Sequence, residues 1–520
     1  MKILKSDPMH SIHFNVFPSF LSTIWTLNKW ICVLLGLFLF FPESYSQELD
    51  PPTSIYISSS EGDDTNEGSI LFPKKTINGL PDNLRKNHRI LLKKGDVFYE
   101  NLSHFDSCVI SSYGTGNAPL LCGFRRLESN KFWEKESANI WKIDLYRTDA
   151  FSGYPLPAGK SYMHLHNIGF IYDETNNEIH GRLVEGKDLL TQKWDVFTSN
   201  NGRSDQEFRF VSIFHENPQL EQASFCFPVY ECGITFLQNC HISDIAIQGF
   251  SLNGIDDLSN CKVENCAIDL IGGGIQLDNP GEWKRQGNGI ECWINGEYDS
   301  ANHNLFSRCW ISRVYGSGAS IQGENASVNA VSNKFINNVF SFCRQAFSHS
   351  LRGSKGVEYI DCEFTKNICY LMGENGFDSP EEWDANLLSQ ETILHKSKIK
   401  AHHNFFWGSN HIFGDSRFFA LDMKYSVIFI FKGQYLNTFS DNYNAFYANS
   451  FPETTRFHAA SKDKDYVYII DPKEIKPSVA QYQIYLETYF SSVNTLNLPN
   501  IQGLDESLFM LRFIAGQREF

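Results

Sequence analysis

Short stretches of alternating apolar and polar residues, separated by polar bends, recur along the chain from about residue 236. Six of them share one layout: a polar residue, an anchor residue, a short alternating stretch, a turn and a second alternating stretch. Their anchor residues are Cys240, Cys266, Cys309, Asn338, Cys362 and His403. A period of two predicts β-strands, whereas no helical period of 3.6 runs through these segments. Their Asn and Gly content also disfavours helices.

A repeat of roughly 22 to 30 residues built from short strands and polar bends predicts a parallel β-helix. Each coil then contributes one strand to each of two or three long parallel sheets. Equivalent residues of successive coils stack about 4.8 Å apart. The sequence therefore predicts an all-β solenoid with ladders of like side chains along its axis.

The cysteines fit such ladders. The chain has 13 cysteines, several at the anchor positions, and it contains neither a Cys-x-x-Cys motif nor a Cys/His zinc spacing. Inward thiols on successive coils act as small apolar groups. Their expected spacing is just above the roughly 3.5 to 4.5 Å between Cβ atoms that a disulfide requires. We therefore predict unbonded, buried thiols.

Other segments match a known group. YISSSEGDDTNEGSILFPKKTINGL (56–80) contains Gly-Asp-Asp-x-Asn-x-Gly followed by Pro73 and Thr76-Ile77; ILLKKGDVFYENL, ISSYGTGNAPLL, GNGIECW and ISRVYGSGASIQG extend the match. Over about 55–125 and 226–450 the chain resembles secreted right-handed parallel β-helix proteins of the pectin-lyase-like superfamily, of the type common in polysaccharide-degrading bacteria. This resemblance implies a right-handed β-helix and leaves the reaction open.

The pattern divides the chain into five parts: a signal peptide (1–46), opening coils (47–150), an insertion (151–225), the β-helix core (226–450) and a C-terminal cap (451–520). The apolar run in NKWICVLLGLFLFFPESYSQ is about a dozen residues, short of the roughly 20 that span a bilayer. This favours export without stable membrane insertion after cleavage; an uncleaved anchor is the alternative. In the insertion, YDETNNEIHGR predicts a hairpin, followed by a short helical piece.

Net charge and composition limit the classes of molecule that the protein is expected to bind. A net charge of −15 argues against nucleic acid, which requires clustered Lys and Arg. Aromatic residues make up 14% of the chain, and exposed rings are typical of sugar-binding grooves. A polysaccharide is the expected partner.

Alternation also predicts which side chains face outward. GGGIQLD places Gln276 and Asp278 outside, and GNGIECW places Glu291 and Trp293 outside. Glycoside hydrolysis requires two carboxyl groups about 5 to 9.5 Å apart, one protonated and one ionised. Asp278 and Glu291 are the predicted pair, although both could be ordinary surface acids. The remaining residues of the predicted patch are Gln322, His349, Arg352, Trp283, Lys284, Arg285 and Trp293.

The leading hypothesis is an exported glycoside hydrolase that acts on a complex polysaccharide, slightly favoured over a lyase, and two alternatives stay open. A polysaccharide lyase would use a base and a cation at a uronate; Lys284, Arg285, His349 and Arg352 could serve. No cofactor is expected, with Ca²⁺ held by Asp278 or Glu282 as the alternative. The second alternative is a noncatalytic β-helix that binds glycan or another surface, because no known catalytic signature is present.

The adjacent acids Asp256 and Asp257 invite comparison with β-helix polygalacturonases, which carry an Asp-Asp step among their catalytic acids. Here glycines occupy the corresponding strand, and the Gly-His-Gly and Arg-x-Lys signatures of that family are missing. We therefore reject a polygalacturonase and assign Asp256-Asp257 to a bend, in which Asp bonds nearby backbone N–H groups.

Overall fold

Most strands in the described part of the chain pair in parallel. The computed structural model describes residues 53–155, 168–199, 209–275, 285–296, 301–373, 376–377, 385–389, 395–402, 404–409, 420–424, 427–429, 456–458 and 466–469. The predicted signal peptide and most of the predicted cap lie outside these ranges. Helical residues in the described part form 3-10 turns at Asp82–Arg85, Asn130–Phe132, Lys187–Leu189 and Pro218–Leu220. None of the helices described is long and apolar enough to cross a membrane. The prediction of an all-β chain with long parallel sheets is confirmed.

The first sheet is parallel throughout. In spatial order its strands are Ser54–Ile57, Arg89–Lys93, Val109–Tyr113, His241–Ser243, Lys262–Glu264, Leu305–Ser307, Lys334–Ile336, Glu363–Thr365, Ile399–His402 and Leu421–Lys424.

The second sheet is parallel except at its last pair of strands. Its strands are Val97–Phe98, Leu120–Cys122, Ala246–Gln248, Ala267–Ile271, Trp310–Glu324, Val339–Arg352, Ile368–Met372, Phe405–Ser409, Val427–Phe429, Tyr466–Ile469 and Arg456–His458.

A third ribbon branches from the second sheet and carries the candidate site. It pairs, all in parallel, Leu102–Ser103, Cys232–Thr235, Asn253–Ile255, Ile290–Trp293, the C-terminal halves of Trp310–Glu324 and Val339–Arg352, and Ala385–Ser389. Shorter pairs are Leu237–Gln238 with Leu258–Ser259, Ala330–Val331 with Tyr359–Ile360, and the antiparallel Gly274–Ile275 with Arg285–Gln286.

One turn of the chain visits all three layers. It passes from His241–Ser243 in the first sheet to Ala246–Gln248 in the second and Asn253–Ile255 in the third ribbon, then begins the next rung at Lys262. Bends between the layers occur at Asp244 (φ 59°) and Asn260 (φ 52°). Asp and Asn tolerate this left-handed conformation, which explains the polar residues between the strands.

The predicted ladders exist, but they are two rather than one. Strand register places Cys108, Cys240, Cys261, Asn304, Asn333 and Cys362 in one column. It places Cys266, Cys309, Asn338, Asn367 and Asn404 in the other. The single set of anchors predicted from sequence was therefore wrong, because both columns precede a strand and share the same local pattern. His403 lies outside the described residues.

In the second column, Asn side chains occupy the positions that thiols fill elsewhere, and hydrogen bonds link one rung to the next. The N–H groups of Cys309, Asn338 and Asn367 each donate to the side-chain oxygen of the Asn on the next rung, at 2.9 Å. All twelve cysteines in the described ranges are buried and free of disulfides, as predicted.

Two largely antiparallel sheets occupy residues 124–228, a wider span than the predicted insertion at 151–225. One comprises Phe151–Gly153, Phe124–Leu127, Phe225–Pro228, Ile171–Asp173 and Glu178–His180; the other comprises Arg182–Leu183, Asp195–Thr198, Phe210–Phe214, Ile140–Asp144 and Glu134–Lys135. The predicted hairpin is present as Ile171–Asp173 and Glu178–His180. The strands before residue 151 have the same apolar alternation as coil strands, so sequence did not separate them.

A buried ion pair attaches this hairpin to the second sheet. The Arg313 guanidinium donates through Nε to Asp269 Oδ1 at 2.8 Å and through Nη2 to Asp269 Oδ2. Its Nη1 donates to Asn177 Oδ1, in the hairpin turn, at 2.6 Å. The side chains of Arg313 and Asp269 are 2% and 6% exposed. The hairpin therefore has a specific attachment to the stacked rungs.

Candidate active site

Two carboxyl groups lie side by side on neighbouring strands of the third ribbon. Ile255 pairs in parallel with Ile290, so the following residues, Asp256 and Glu291, occupy equivalent positions on adjacent rungs. Ile255 and Ile290 are fully buried in the core. Because adjacent strands lie about 4.8 Å apart, the register alone brings the two acids together on the outer face.

The Asn253 side chain bridges these acids. Its Nδ2 donates to Asp256 Oδ2 and to Glu291 Oε2, both at 2.7 Å. The backbone N–H of Asn288 donates to Asn253 Oδ1 at 2.8 Å, which orients the amide group of Asn253 toward the carboxyls. The backbone N–H of Asp257 donates to Asp256 Oδ1 at 2.8 Å.

A second amide supports Glu291 from the other side. Asn288 Nδ2 is 3.3 Å from Glu291 Oε1, and Asn288 Oδ1 accepts from the backbone N–H of Ser317 at 2.9 Å. Gly254 lets the ribbon pass close to its neighbours, since a Cβ there would lie 2.5 Å from Ile268 Cγ2 and 2.6 Å from the Gly289 carbonyl oxygen. Backbone packing and backbone N–H groups thus hold both amides in place.

This environment perturbs both acids. Burial raises the pKa of Asp256 well above its ordinary value, and the charges of Glu291 and Asp257 raise it further. Burial raises the pKa of Glu291 to about 7; the charge of Asp257 adds to this, whereas the Asn253 and Asn288 hydrogen bonds oppose it. Two adjacent carboxyls resist double ionisation. Near neutral pH the pair therefore offers one protonated and one ionised group.

The acids face a cavity of about 610 Å³. This is within the roughly 300 to 1,000 Å³ typical of small-ligand sites. Polar and cationic side chains dominate the walls, which include Arg285, Gln286, Asn288, Ser317, Gln322, Glu324, Arg344, Gln345, Ser350 and Arg352, with Trp293 and Tyr315 as aromatic members.

Five of the predicted site residues line this cavity: Arg285, Glu291, Trp293, Gln322 and Arg352. The predicted orientation of GNGIECW is confirmed, since Ile290 and Cys292 are fully buried whereas Glu291 and Trp293 are partly exposed. Arg285 is held by the protein itself. Its guanidinium donates to the carbonyl oxygens of Gly273 (2.9 Å) and Gly169 (2.7 Å), and its carbon atom Cζ lies 4.4 Å from the centre of the Tyr315 ring.

The predicted position of His349 was wrong. The residue is 1% exposed, and its ring packs against Phe347 and Tyr359 inside the core. Gln322 pairs with Ser350, so Ser350 and Arg352 are the outward residues of this strand. A one-residue error in phase moves every side chain of a strand to the other face. Asp278, Trp283 and Lys284 lie outside the described residues.

Asp256 is the residue that sequence reasoning missed. The predicted bend is present, since Asp257 has φ 49°. The Asp256 side chain, however, serves more than the bend, because it also meets Asn253 and lies in the cavity beside Glu291. The signal for it was the match between Gly-Ile-Asp at 254–256 and Gly-Ile-Glu at 289–291.

Within the residues described, no group of three or more His, Cys, Asp or Glu side chains is arranged to hold a metal ion. The calcium alternative involved Asp278 and Glu282, both outside these ranges.

Comparison with known proteins shows distant structural likeness only. No protein-family model and no curated protein matches the chain. Similar solved structures include XylC in complex with xylose (9% identity, TM-score 0.38, 73% of this chain and 69% of that chain). Another is a glycoside hydrolase, with 10% identity and a TM-score of 0.31 over 72% of this chain and 96% of that chain. A third is the GH136 lacto-N-biosidase of Eubacterium ramulus, with 10% identity and a TM-score of 0.28 over 81% of this chain and 68% of that chain.

Proposed function

We propose that this protein is an exported glycoside hydrolase that cleaves a complex polysaccharide with Asp256 and Glu291. One observation carries this function: two carboxyl groups with raised pKa values share the Asn253 amide in a cavity of about 610 Å³. Paired acids in unequal protonation states are the chemical requirement of glycoside hydrolysis.

The environments of the two acids suggest their roles. Glu291 accepts hydrogen bonds from two amide donors, which stabilise its carboxylate. The pKa of Asp256, in contrast, is raised by burial and further by the charges of two acidic neighbours. Asp256 therefore acts as the general acid that protonates the glycosidic oxygen, and Glu291 acts as the ionised partner.

The shared amide keeps one oxygen of each acid close together, which supports a retaining rather than an inverting reaction. Both oxygens lie 2.7 Å from one nitrogen, so they are at most about 5.4 Å apart, twice that length. Retaining enzymes have their carboxyls about 5 to 5.5 Å apart, and inverting enzymes about 6.5 to 9.5 Å. Glu291 then attacks the anomeric carbon while Asp256 protonates the leaving oxygen. Asp256 next takes a proton from water, which displaces Glu291 and restores both groups.

A polysaccharide lyase is the second candidate, favoured by the arginines of the cavity. Arg285, Arg344 and Arg352 line it, and guanidinium groups suit carboxylate ligands. In that reaction Glu291 would remove the proton α to a uronate carboxyl group, and an arginine would stabilise the charge that develops.

The fold and the location belong to the same proposal. The order in which the chain visits its parallel sheets supports a parallel β-helix, and the sequence resemblance supports the right-handed, pectin-lyase-like form. Export would follow from cleavage after Ser46, which amino-terminal sequencing of the mature protein would test.

A panel of plant, host and bacterial polysaccharides tests the reaction. Reducing ends without ultraviolet absorbance indicate hydrolysis, and both signals together indicate elimination. We expect Glu291→Gln and Asp256→Asn to lower activity by about 10² to 10⁴-fold. Asp256→Asn should recover activity on aryl glycosides with good leaving groups, because these do not need protonation. Glu185→Gln, which replaces an exposed acid that does not line this cavity, is the control. Activity that survives Glu291→Gln would refute the assignment.

A further inference from the structure

A second cavity adjoins the first and is bounded by an aromatic pair. It has a volume of about 310 Å³, and Asp257 lines both cavities. Phe236 and His104 lie on its wall with their rings parallel, 5.2 Å between centroids and 6° between planes. Phe236 is 53% exposed, so about half of its surface is accessible to a ligand.

The strand register places this pair beside Asp257, the residue that follows Asp256. Ser103 pairs with Thr235, so the next residues, His104 and Phe236, are neighbours. Leu237 pairs with Leu258, so Phe236 is likewise the neighbour of Asp257. These three residues form one column with a spacing of about 4.8 Å per rung. Phe236 therefore lies one rung from the acidic step that contains Asp256.

The conformation of these residues is costly for the fold. His104, Phe236 and Asp257 have φ values of 60°, 55° and 49°. Asp tolerates the left-handed region, but a bulky Phe there is an outlier. Positive φ recurs at bends along the described residues, also at buried positions such as Leu270, so the exposed ring of Phe236 is what distinguishes this bend. An exposed aromatic ring in a strained bend gives the fold little, which points to a role in binding.

We propose that Phe236, backed by His104, is a stacking subsite for one pyranose unit of the glycan, adjacent to the unit held at Asp256 and Glu291. This subsite rests on the proposed function. The C–H face of a pyranose is apolar and matches an aromatic ring, whereas its hydroxyls surround the edge. Lys86, Gln238 and Ser259 line the same cavity and can hydrogen-bond such hydroxyls. The glycan then runs across the rungs, along the axis of the stack.

Chain-length dependence tests the subsite. Xylo-, gluco-, galacto- and galacturono-oligosaccharides of about two to six units are compared with aryl monoglycosides. We expect Phe236→Ala to lower kcat/KM for oligosaccharides by about tenfold and to leave aryl monoglycosides unchanged. Phe236→Trp should retain the preference for longer chains. Phe72→Ala is the matched control, because Phe72 is 56% exposed and lines neither cavity.

Phe236→Gly separates binding from folding. Glycine adopts the left-handed conformation without strain, so the melting temperature should not fall while the preference for longer chains is lost. Titration calorimetry with the same oligosaccharides gives an independent measure of binding. Hydrolysis with unchanged length dependence in Phe236→Ala would refute the subsite and leave the hydrolase standing. Binding that depends on Phe236, without any cleavage, would support the subsite and refute the hydrolase. Neither binding nor cleavage would refute both.

Discussion

Replacing Glu291 by Gln tests the electrostatics of the site without knowledge of the substrate. The pKa of Glu291 rises from 4.5 to about 7 in the folded protein, chiefly because burial disfavours the carboxylate. Between these values the unfolded chain has lost the proton that the folded protein still binds. The unfolded state therefore binds fewer protons, and the free energy of unfolding falls as pH rises through this window.

The size of this effect follows from the shift. A rise from 4.5 to about 7 corresponds to about 3 kcal/mol at about 1.4 kcal/mol per pKa unit. This is an upper limit, because Glu291 is partly accessible from the cavity. Glutamine does not ionise, so Glu291→Gln removes the penalty. Relative to the wild type, the variant should gain up to about 3 kcal/mol between pH 4.5 and pH 8, or about 3 °C in Tm for a chain of this length.

Calorimetric melting of both proteins at pH 4.5 and pH 8 measures this gain. Comparing the two pH values cancels any constant loss from the changed hydrogen bonds of Asn253 and Asn288. Gln286→Ala, in which a non-ionisable side chain of the same cavity is shortened, is the control and should show no such gain. A Tm difference between Glu291→Gln and the wild type that is equal at both pH values would refute the raised pKa of this carboxyl.

Three further predictions concern the scaffold. Arg313→Met leaves Asp269 buried without its partner. We therefore expect the free energy of unfolding, measured by thermal unfolding, to fall by about 3 to 5 kcal/mol, and the 171–180 hairpin to be cleaved faster by proteases. Wild-type behaviour would contradict a structural role for the pair. Asn338→Ala removes the acceptor of the buried Cys309 N–H, so the free energy of unfolding should fall by at least about 1 to 3 kcal/mol. Asn338→Ser keeps a hydroxyl acceptor and should lower it less. Equal losses in the two variants would count against the ladder. Burial raises the pKa of Cys122 and Cys226 to about 12, so iodoacetamide should label them only after denaturation, as peptide mass spectrometry would reveal; rapid labelling of the native protein would be inconsistent with their burial.

Much of the scaffold was predictable because its signal is local. Alternation within a strand decides which side chains face the core, and this placed Ile290 and Cys292 inside and Glu291 and Trp293 outside. The same logic failed at His349, because this polar residue shares the buried face with Phe347 and Leu351. Both faces of this part of the strand carry polar residues, so the sequence assigned the alternation one residue out of phase.

The candidate site depended on information that is not local. Sequence identified Glu291 but assigned it Asp278 as a partner, and it treated Asp256 as part of a bend. Asp256 and Glu291 are 35 positions apart in the chain, and the rung between them is longer than its neighbours: 43 residues separate Cys261 from Asn304, against 21 between Cys240 and Cys261. A repeat of variable length does not specify which residues of successive rungs are adjacent.

The sequence by itself therefore determined the strands, the polar bends, the buried thiols and the outward direction of Glu291, because each depends on residues close together in the chain. Only the tertiary structure decided that Ile255 pairs with Ile290, that Asn253 bridges two acids, and that Phe236 lies one rung away. These contacts depend on the register between rungs, which packing of the whole core sets.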